Sequence, residues 1–257
     1  MKIVVCIKQV PARDSQLRVA SGERWIDESD LSYEINEPDA YALEEGLQLK
    51  EKHGGEVVVL CAGPARAAQT IREALAKGAD RAIHIEEEAL DAFDPLAGAR
   101  LLAAALSSES PDLILTGLQS DDLGYGQTGV ILAELLGLPH ATIIMQVEQK
   151  GARILVKREL ESGWFQRVEM PLPALLTIQS GISKLRYATL MGIKKAKSKE
   201  VKRLTAAGLG GAPATPSVKL GRVYLPERTK RTQLFTGTPQ QAAAQLVEKL
   251  RFEARVL

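Results

Sequence analysis

The segment Thr116-Gly117-Leu118-Gln119-Ser120-Asp121-Asp122-Leu123-Gly124-Tyr125-Gly126-Gln127-Thr128-Gly129 holds the residues best suited to bind a ligand. It joins an apolar, strand-like run to a helix-like one. Glycines let a backbone approach a ligand closely. Successive N–H groups at a helix start form an anion nest. The Gln127 amide and the Thr128 hydroxyl add donors. The helix dipole supplies only about 0.3–1 kcal/mol, so a mononucleotide phosphate would also need several hydrogen bonds. Gly124-x-Gly126-x-x-Gly129 matches the dinucleotide fingerprint in letters but not in place. That fingerprint sits in a tight turn directly after a first strand. Here the glycines follow a fourth strand, and Glu148, at ribose-ligand distance, lies inside a strand pattern. Asp121-Asp122 is a paired carboxylate, but no third group marks it as an acid/base dyad. A loop and helix-entry role is the favoured reading of the pair.

Other catalytic constellations are missing from the sequence. His53, His84 and His140 show no metal-ligand spacing. There is no Gly-x-Ser-x-Gly elbow and no Gly-x-x-x-x-Gly-Lys-Ser/Thr phosphate loop. Cys6 and Cys61 sit in apolar runs and read as reduced, buried thiols of a cytosolic protein. A second feature is the apolar tip Leu190-Met191-Gly192-Ile193, set between Arg186-Tyr187 and Lys194-Lys195-Ala196-Lys197. Such a cluster rimmed by lysines reads as an interaction anchor whose charge speeds encounter with an acidic partner. A solvated helix face is the competing reading. An RNA-binding loop has only Tyr187 as an aromatic to support it.

The elements that position these groups alternate along the first half. Lys2–Ile7, Glu56–Cys61, Arg81–Ile85 and Asp112–Thr116 are short runs rich in Val, Ile and Leu, as expected of strands buried on both faces. Helices are expected after Asn36-Glu37-Pro38, after Gly63-Pro64 up to Gly78, after Asp94-Pro95 with Asp94 as cap, and from about Gln127. This alternation predicts an α/β fold with a doubly wound, mostly parallel sheet in a three-layer, Rossmann-like arrangement. In it, a ligand lies at the carboxyl ends of the strands. Cys6-Ile7-Lys8, Asn36-Glu37-Pro38-Asp39 and Cys61-Ala62-Gly63-Pro64 should converge there with the glycine-rich loop. After Pro139, Ala141–Gln149, Arg153–Leu160 and Trp164–Met170 read as an antiparallel meander, and Ala174–Ile178 as one more short strand. The expected organisation is an α/β domain over 1–203 with an interaction loop at about 178–200, a linker over 204–238, and a C-terminal helical arm over 239–257. The helix at Gln240–Arg251 is too short to fold alone and must dock on something.

Composition sets bounds. The chain has 257 residues, 45% hydrophobic and 25% charged, which is an ordinary globular balance. No apolar run reaches 18 residues, so no membrane insertion is expected, and the N-terminus has no signal-peptide layout. A net charge of +1 argues against nucleic acid as a partner. That balance is uneven. Lys184–Arg203 holds eight basic residues and one acid, a net +7, and leaves −6 for the rest.

Taken together, these motifs resemble the beta subunit of electron transfer flavoproteins along the whole chain. The likeness rests on Val4-Val5-Cys6-Ile7-Lys8-Gln9-Val10, Asn36-Glu37-Pro38 with Ala42-Leu43-Glu44-Glu45, Gly63-Pro64, and Ala76-Lys77-Gly78-Ala79-Asp80-Arg81-Ala82. It continues through the Gly117–Gly129 loop, Arg158-Glu159-Leu160-Glu161-Ser162-Gly163, Pro173-Ala174-Leu175-Leu176-Thr177, and Arg186-Tyr187-Ala188-Thr189-Leu190 with its lysines.

The resemblance implies an electron carrier without catalytic residues of its own, cytoplasmic and heterodimeric. Its alpha subunit would hold FAD, and the chain would bind a structural AMP in the adenine-nucleotide-binding fold. The matching AMP positions are Cys6, Asn36, Glu37, Pro38, Asp39, Ala62, Gly117, Gln119, Ser120, Asp121, Asp122, Leu123, Gly124, Tyr125, Gly126, Gln127 and Thr128. Arg13 stands near the partner's FAD, where many relatives have Tyr. Arg186, Tyr187, Leu190, Met191, Ile193, Lys194, Lys195 and Lys197 would dock acyl-CoA or amine dehydrogenases, with Leu190 as the plug. Electrons would leave for a downstream quinone oxidoreductase. The C-terminal helix would embrace the alpha subunit. Electron-bifurcating relatives carry a second FAD in place of AMP and a loop reading Asp-Gly-Asp-Thr-Ala-Gln-Val. Here Asp122 to Thr128 reads Asp-Leu-Gly-Tyr-Gly-Gln-Thr, which favours AMP. The alternatives are a bifurcating member, or a nucleotide-binding enzyme or sensor of the same fold.

Overall fold

A computed structural model describes residues 1–88, 94–210, 218–227 and 232–257. The linker expected over 204–238 falls outside the described residues at 211–217 and 228–231. Two compact units are present, Met1–Val223 and Tyr224–Leu257.

The first unit runs β1 (Lys2–Cys6), β2 (Gln9–Pro11), β3 (Tyr33–Ile35), α1 (Glu37–His53), β4 (Glu56–Gly63), α2 (Ala68–Lys77), β5 (Arg81–Glu86), α3 (Pro95–Leu106), β6 (Leu113–Gly117) and α4 (Thr128–Leu136). It continues with β7 (His140–Lys150), β8 (Arg153–Glu159), β9 (Phe165–Pro171), β10 (Ala174–Ile178), α5 (Leu190–Ala196) and β11 (Val201–Leu204). A nine-stranded sheet has the order β11-β5-β4-β1-β6-β10-β7-β8-β9. All neighbours pair in parallel up to β7, and β7-β8-β9 pair antiparallel. The chain is mixed α/β with a large, mostly parallel sheet flanked by helices. β2 and β3 form a separate antiparallel pair.

Alternation along the strands divides the core. Ile3, Val5, Val57, Val59, Leu113 and Leu115 pack one face against Leu43 and Leu47 of α1, Ile71 and Leu75 of α2, and Ala196 of α5. Val4, Val58, Leu60, Ile83 and Ile114 pack the other against Leu101 and Leu102 of α3 and Leu132 of α4. Each fully buried Leu or Ile contributes about 1.5–3 kcal/mol of transfer free energy. A one-residue slip of β1 would exchange its two apolar sets between the helical layers, so its register is firmly set.

Two elements go beyond the sequence reading. The short strand expected at Ala174–Ile178 is present. It inserts as β10 between β6 and β7, buried at all five positions. The basic stretch also contains structure: α5, and then β11, which pairs with β5 at the sheet's edge. In the second unit, α6 (Pro239–Phe252) starts with a capping box. Thr238 Oγ1 accepts from the Gln241 amide, and Gln241 Oε1 accepts from the Thr238 amide.

Candidate functional site

β1 is flanked by β4 on one side and β6 on the other. The chain fills the β4 side first and then crosses to β6. This is a topological switch point, where open parallel sheets form a crevice at the strands' carboxyl ends. A cleft of about 910 Å³, counted to its open mouth, lies there. Its floor comes from Cys6, Ile7 and Lys8 after β1, Ala62 of β4, and Thr116 and Gly117 of β6. Its walls come from the starts of α1, α3 and α4 and from the loop between β6 and α4.

The loop is held by side chains rather than by its own sequence. Asn36 stands at the N-cap of α1 but gives that helix no side-chain bond. Its Oδ1 accepts from the Asp121 amide at 2.8 Å, and its Nδ2 donates to the Gln119 carbonyl at 2.9 Å. The Asp121 carboxylate returns the link by accepting from the Glu37 amide at 3.2 Å. Asp39, buried in the first turn of α1, accepts from the Lys8 amide through Oδ2 and from the Gly117 amide through Oδ1, both at 2.8 Å. One carboxylate thus ties the ends of β1 and β6 to α1.

Glycine is required here for different reasons at different positions. A Cβ on Gly117 would lie 2.4 Å from Asp39 Oδ1 and 2.8 Å from the Asp39 amide nitrogen. A Cβ on Gly129 would meet Thr116 Oγ1 and Thr177 Cγ2, each at 2.7 Å. Both positions need the close approach. Gly124 and Gly126 have φ of 66° and 62°, the left-handed region that turns the loop back towards α4.

The electrostatics are local. Lys8 is the cation among the cleft-lining residues. Its Nζ is 2.7 Å from both Asp122 oxygens and 3.4 Å from Ser120 Oγ. Burial pushes the Asp39 carboxyl up to about 7, against the opposing amide bonds from Lys8 and Gly117. Burial likewise raises Cys6 well above the thiol range and Cys61 to about 12. Neither thiol is a nucleophile in this state. Asp94 caps α3, accepting from Leu96 and Ala97. α4 has no side-chain cap. Gln127, Thr128 and Gly129 at its start line the cleft, and the first amides of a helix have no partner within it, a position suited to an anion.

Of the positions matched to AMP, Glu37, Pro38, Asp121, Asp122 and Gly124 do not line the cleft, and the others do. Four of those five brace it from behind: Glu37 and Asp121 bond each other, Asp122 holds Lys8, and Pro38 packs under Gly117. The strand end Cys6-Ile7-Lys8, expected at the ligand site, lines the cleft, whereas sequence reasoning missed the α3 wall of Asp94, Pro95, Gly98 and Leu102. The Asp94-Pro95 helix start was the available signal. It follows β5 on the same carboxyl edge.

The second feature lies elsewhere on the unit. Tyr187 is 91% exposed, Leu190 86%, Met191 62% and Ile193 47%, while Lys194, Lys195 and Lys197 surround them on the surface. Arg186 points inward to Glu44 and Glu51. Lys199 donates to the carbonyls of Leu75 and Ala79 at the end of α2. Arg203 pairs with Glu86. The +7 stretch is therefore not one projecting block, because acids and carbonyls of the body engage part of it. Arg13 is exposed and pairs with Glu37 at 2.5 Å.

An electron transfer flavoprotein domain model matches residues 24–209. The electron transfer flavoprotein subunit beta of Methylophilus methylotrophus is 36% identical over 96% of this chain and 97% of its own length. The chain belongs to the electron transfer flavoprotein family, among its beta subunits. The same-named proteins of Bacillus subtilis and Bradyrhizobium diazoefficiens are 35% and 36% identical, each over 100% of both chains. Membership makes electron transport in a flavoprotein the setting for the cleft and the exposed segment. Among the described residues, no helix is long and apolar enough to cross a membrane. No group of three or more His, Cys, Asp or Glu residues among them could hold a metal ion.

Proposed function

We propose that this chain is the docking and nucleotide-binding half of a heterodimeric electron carrier that works in the cytoplasm. Its alpha partner holds FAD, which supplies the one- and two-electron chemistry. This chain has no bond-making residues of its own. It binds AMP as a structural ligand and receives acyl-CoA or amine dehydrogenases at the Leu190 segment, so that electrons reach the flavin and pass to a downstream quinone oxidoreductase.

The observation that carries the reading is the cleft at the switch point with the uncapped start of α4 as its wall. The donor set fits a nucleoside monophosphate. Backbone amides of Thr128 and Gly129, with the Gln127 amide and Thr128 hydroxyl, suit one phosphate. Apolar Ile7, Ala62, Leu102 and Leu118 suit a base and sugar. Lys8 is already neutralised by Asp122, so the main chain must do most of the anion binding. Arg13, held by Glu37 beside the cleft's rim, is assigned to the side that faces the partner's FAD. α6 has no buried residue within its unit, and its Leu246, Val247 and Phe252 are exposed. We assign that apolar surface to the alpha subunit.

The test is to purify the chain with its alpha partner, release small molecules with acid, and count them by mass spectrometry. One FAD and one AMP per heterodimer is expected. Two FAD would move the chain to the bifurcating type. No adenine nucleotide would remove the assigned site.

A further inference from the structure

We infer that Arg186 is a positioning residue: it fixes the exposed Tyr187–Met191 knuckle to α1, so that Leu190 is presented to a dehydrogenase already in place. This rests on the docking role proposed for that knuckle.

The geometry is a two-carboxylate fork. Arg186 Nε donates to Glu44 Oε2 at 2.8 Å and Nη2 to Glu44 Oε1 at 3.0 Å. Nη1 donates to Glu51 Oε1 at 2.5 Å and Nη2 to Glu51 Oε2 at 3.1 Å. The Arg186 backbone amide also reaches Glu44 Oε2, at 3.2 Å. Glu44 is buried and further held by Gln48. Glu51 is held below the usual carboxylate range, first by the hydrogen bond from Arg186. Lysine offers one point charge and could not span both acids.

Beyond this anchor the chain is exposed at once. Tyr187 is the next residue, then Thr189 caps α5 by accepting from the Gly192 amide at 3.0 Å. Behind the helix, a Cβ on Gly192 would lie 2.3 Å from the Ala76 carbonyl oxygen, so α5 sits directly on the end of α2. Lys199 fastens the far end to the same helix end. The knuckle is thus clamped before and after, while its own large side chains make little contact. Exposed side chains do not organise themselves, because ordering them costs entropy. A knuckle ordered in advance spares that cost on association.

The function follows from α1. Its first turn forms the cleft through Asp39, and its Glu44 and Glu51 carry the knuckle. One rigid helix spans both sites.

The experiment uses the heterodimer with Arg186→Lys, and with Glu51→Gln as a milder variant at an exposed partner. Amide hydrogen exchange is read first. Both variants should speed exchange at Gly192 and Ile193, by roughly tenfold for Arg186→Lys, with the flavin spectrum and α1 exchange unchanged. Electron transfer is read next, from an acyl-CoA dehydrogenase reduced with butyryl-CoA. Arg186→Lys should raise KM for the dehydrogenase several-fold with kcat kept, which a general loss of fold would not do. Unchanged exchange at Gly192 and Ile193 overturns the inference. Faster exchange with unchanged KM, where Leu190→Ala does raise KM, also overturns it. If Leu190→Ala leaves KM unchanged as well, the docking reading fails instead, and the exchange data alone decide whether Arg186 positions the segment.

Discussion

Replacing Asp39 by Asn should flatten part of the pH dependence of stability. An unfolded Asp titrates near 3.8, and the folded group near about 7. The folded state therefore binds the proton more tightly. Its contribution to stability is fullest below the unfolded value and is lost as pH rises through about 7. Between pH 8 and pH 5.5 the group gains about 1.5 units of protonation free energy, at about 1.4 kcal/mol per unit, or about 2 kcal/mol. Glu45, raised to about 7 by burial and then by Glu44, adds a similar gain. A single profile would mix the two, but the difference between wild type and Asp39→Asn isolates Asp39. The variant keeps size and one acceptor. It loses one of the two amide bonds from Lys8 and Gly117, an offset of about 1–3 kcal/mol. The assay is urea unfolding of the heterodimer at pH 5.5 and 8.0, with subunit and AMP concentrations fixed. Wild type should gain about 2 kcal/mol more than the variant on acidification. Parallel profiles would show that Asp39 is ionised across the window and that burial does not govern it.

Gly129→Ala should destabilise the chain by about 1–3 kcal/mol, because its Cβ meets Thr116 and Thr177 at 2.7 Å. The purified heterodimer should then carry less AMP by mass, and full AMP content would contradict the packing argument. Leu190→Ala should weaken transfer from a dehydrogenase by about 1–3 kcal/mol if it is the plug, measured by stopped-flow flavin reduction. The resting flavin spectrum should not move. Cys6 and Cys61, both buried and raised by desolvation, should resist thiol reagents at pH 8 until denaturant is added. Fast labelling of the native chain would mean that the carboxyl ends of β1 and β4 open readily.

The central strands were legible because parallel strands under two helical layers need apolar residues at every position. β1, β4 and β6 show that continuous run. The same signal was present in β10, buried at all five positions, but its place between β6 and β7 was not readable. Packing against α1 on one face and α4 on the other puts it inside. β11 was hidden by Lys202 and Arg203, charges that suit an edge strand, and its partner β5 lies far back in sequence. α5 is seven residues, too short for a helical period to show. At the cleft, the glycine-rich loop and the three strand ends were visible as types. Their stitching was not. Asn36 occupies the N-cap position of α1, yet it gives its side chain to Gln119 and Asp121. That exchange joins residues more than eighty positions apart, so no local pattern carries it.

The charge balance resolves in the same way. Of the basic residues in Lys184–Arg203, Arg186 holds the knuckle, Lys199 closes the end of α2, and Arg203 pairs with Glu86. Among the described residues, Lys194, Lys195 and Lys197 make no ion pair and ring the exposed Leu190 and Met191. Three cations can act on an approaching surface only within about a Debye length, roughly 8–10 Å in physiological salt. They therefore set the rate of encounter more than its strength, and the apolar tip sets the strength. Raising ionic strength should accordingly slow association with a dehydrogenase, while Leu190→Ala should chiefly speed dissociation. A salt effect confined to dissociation would place the acidic contact inside the interface rather than around it.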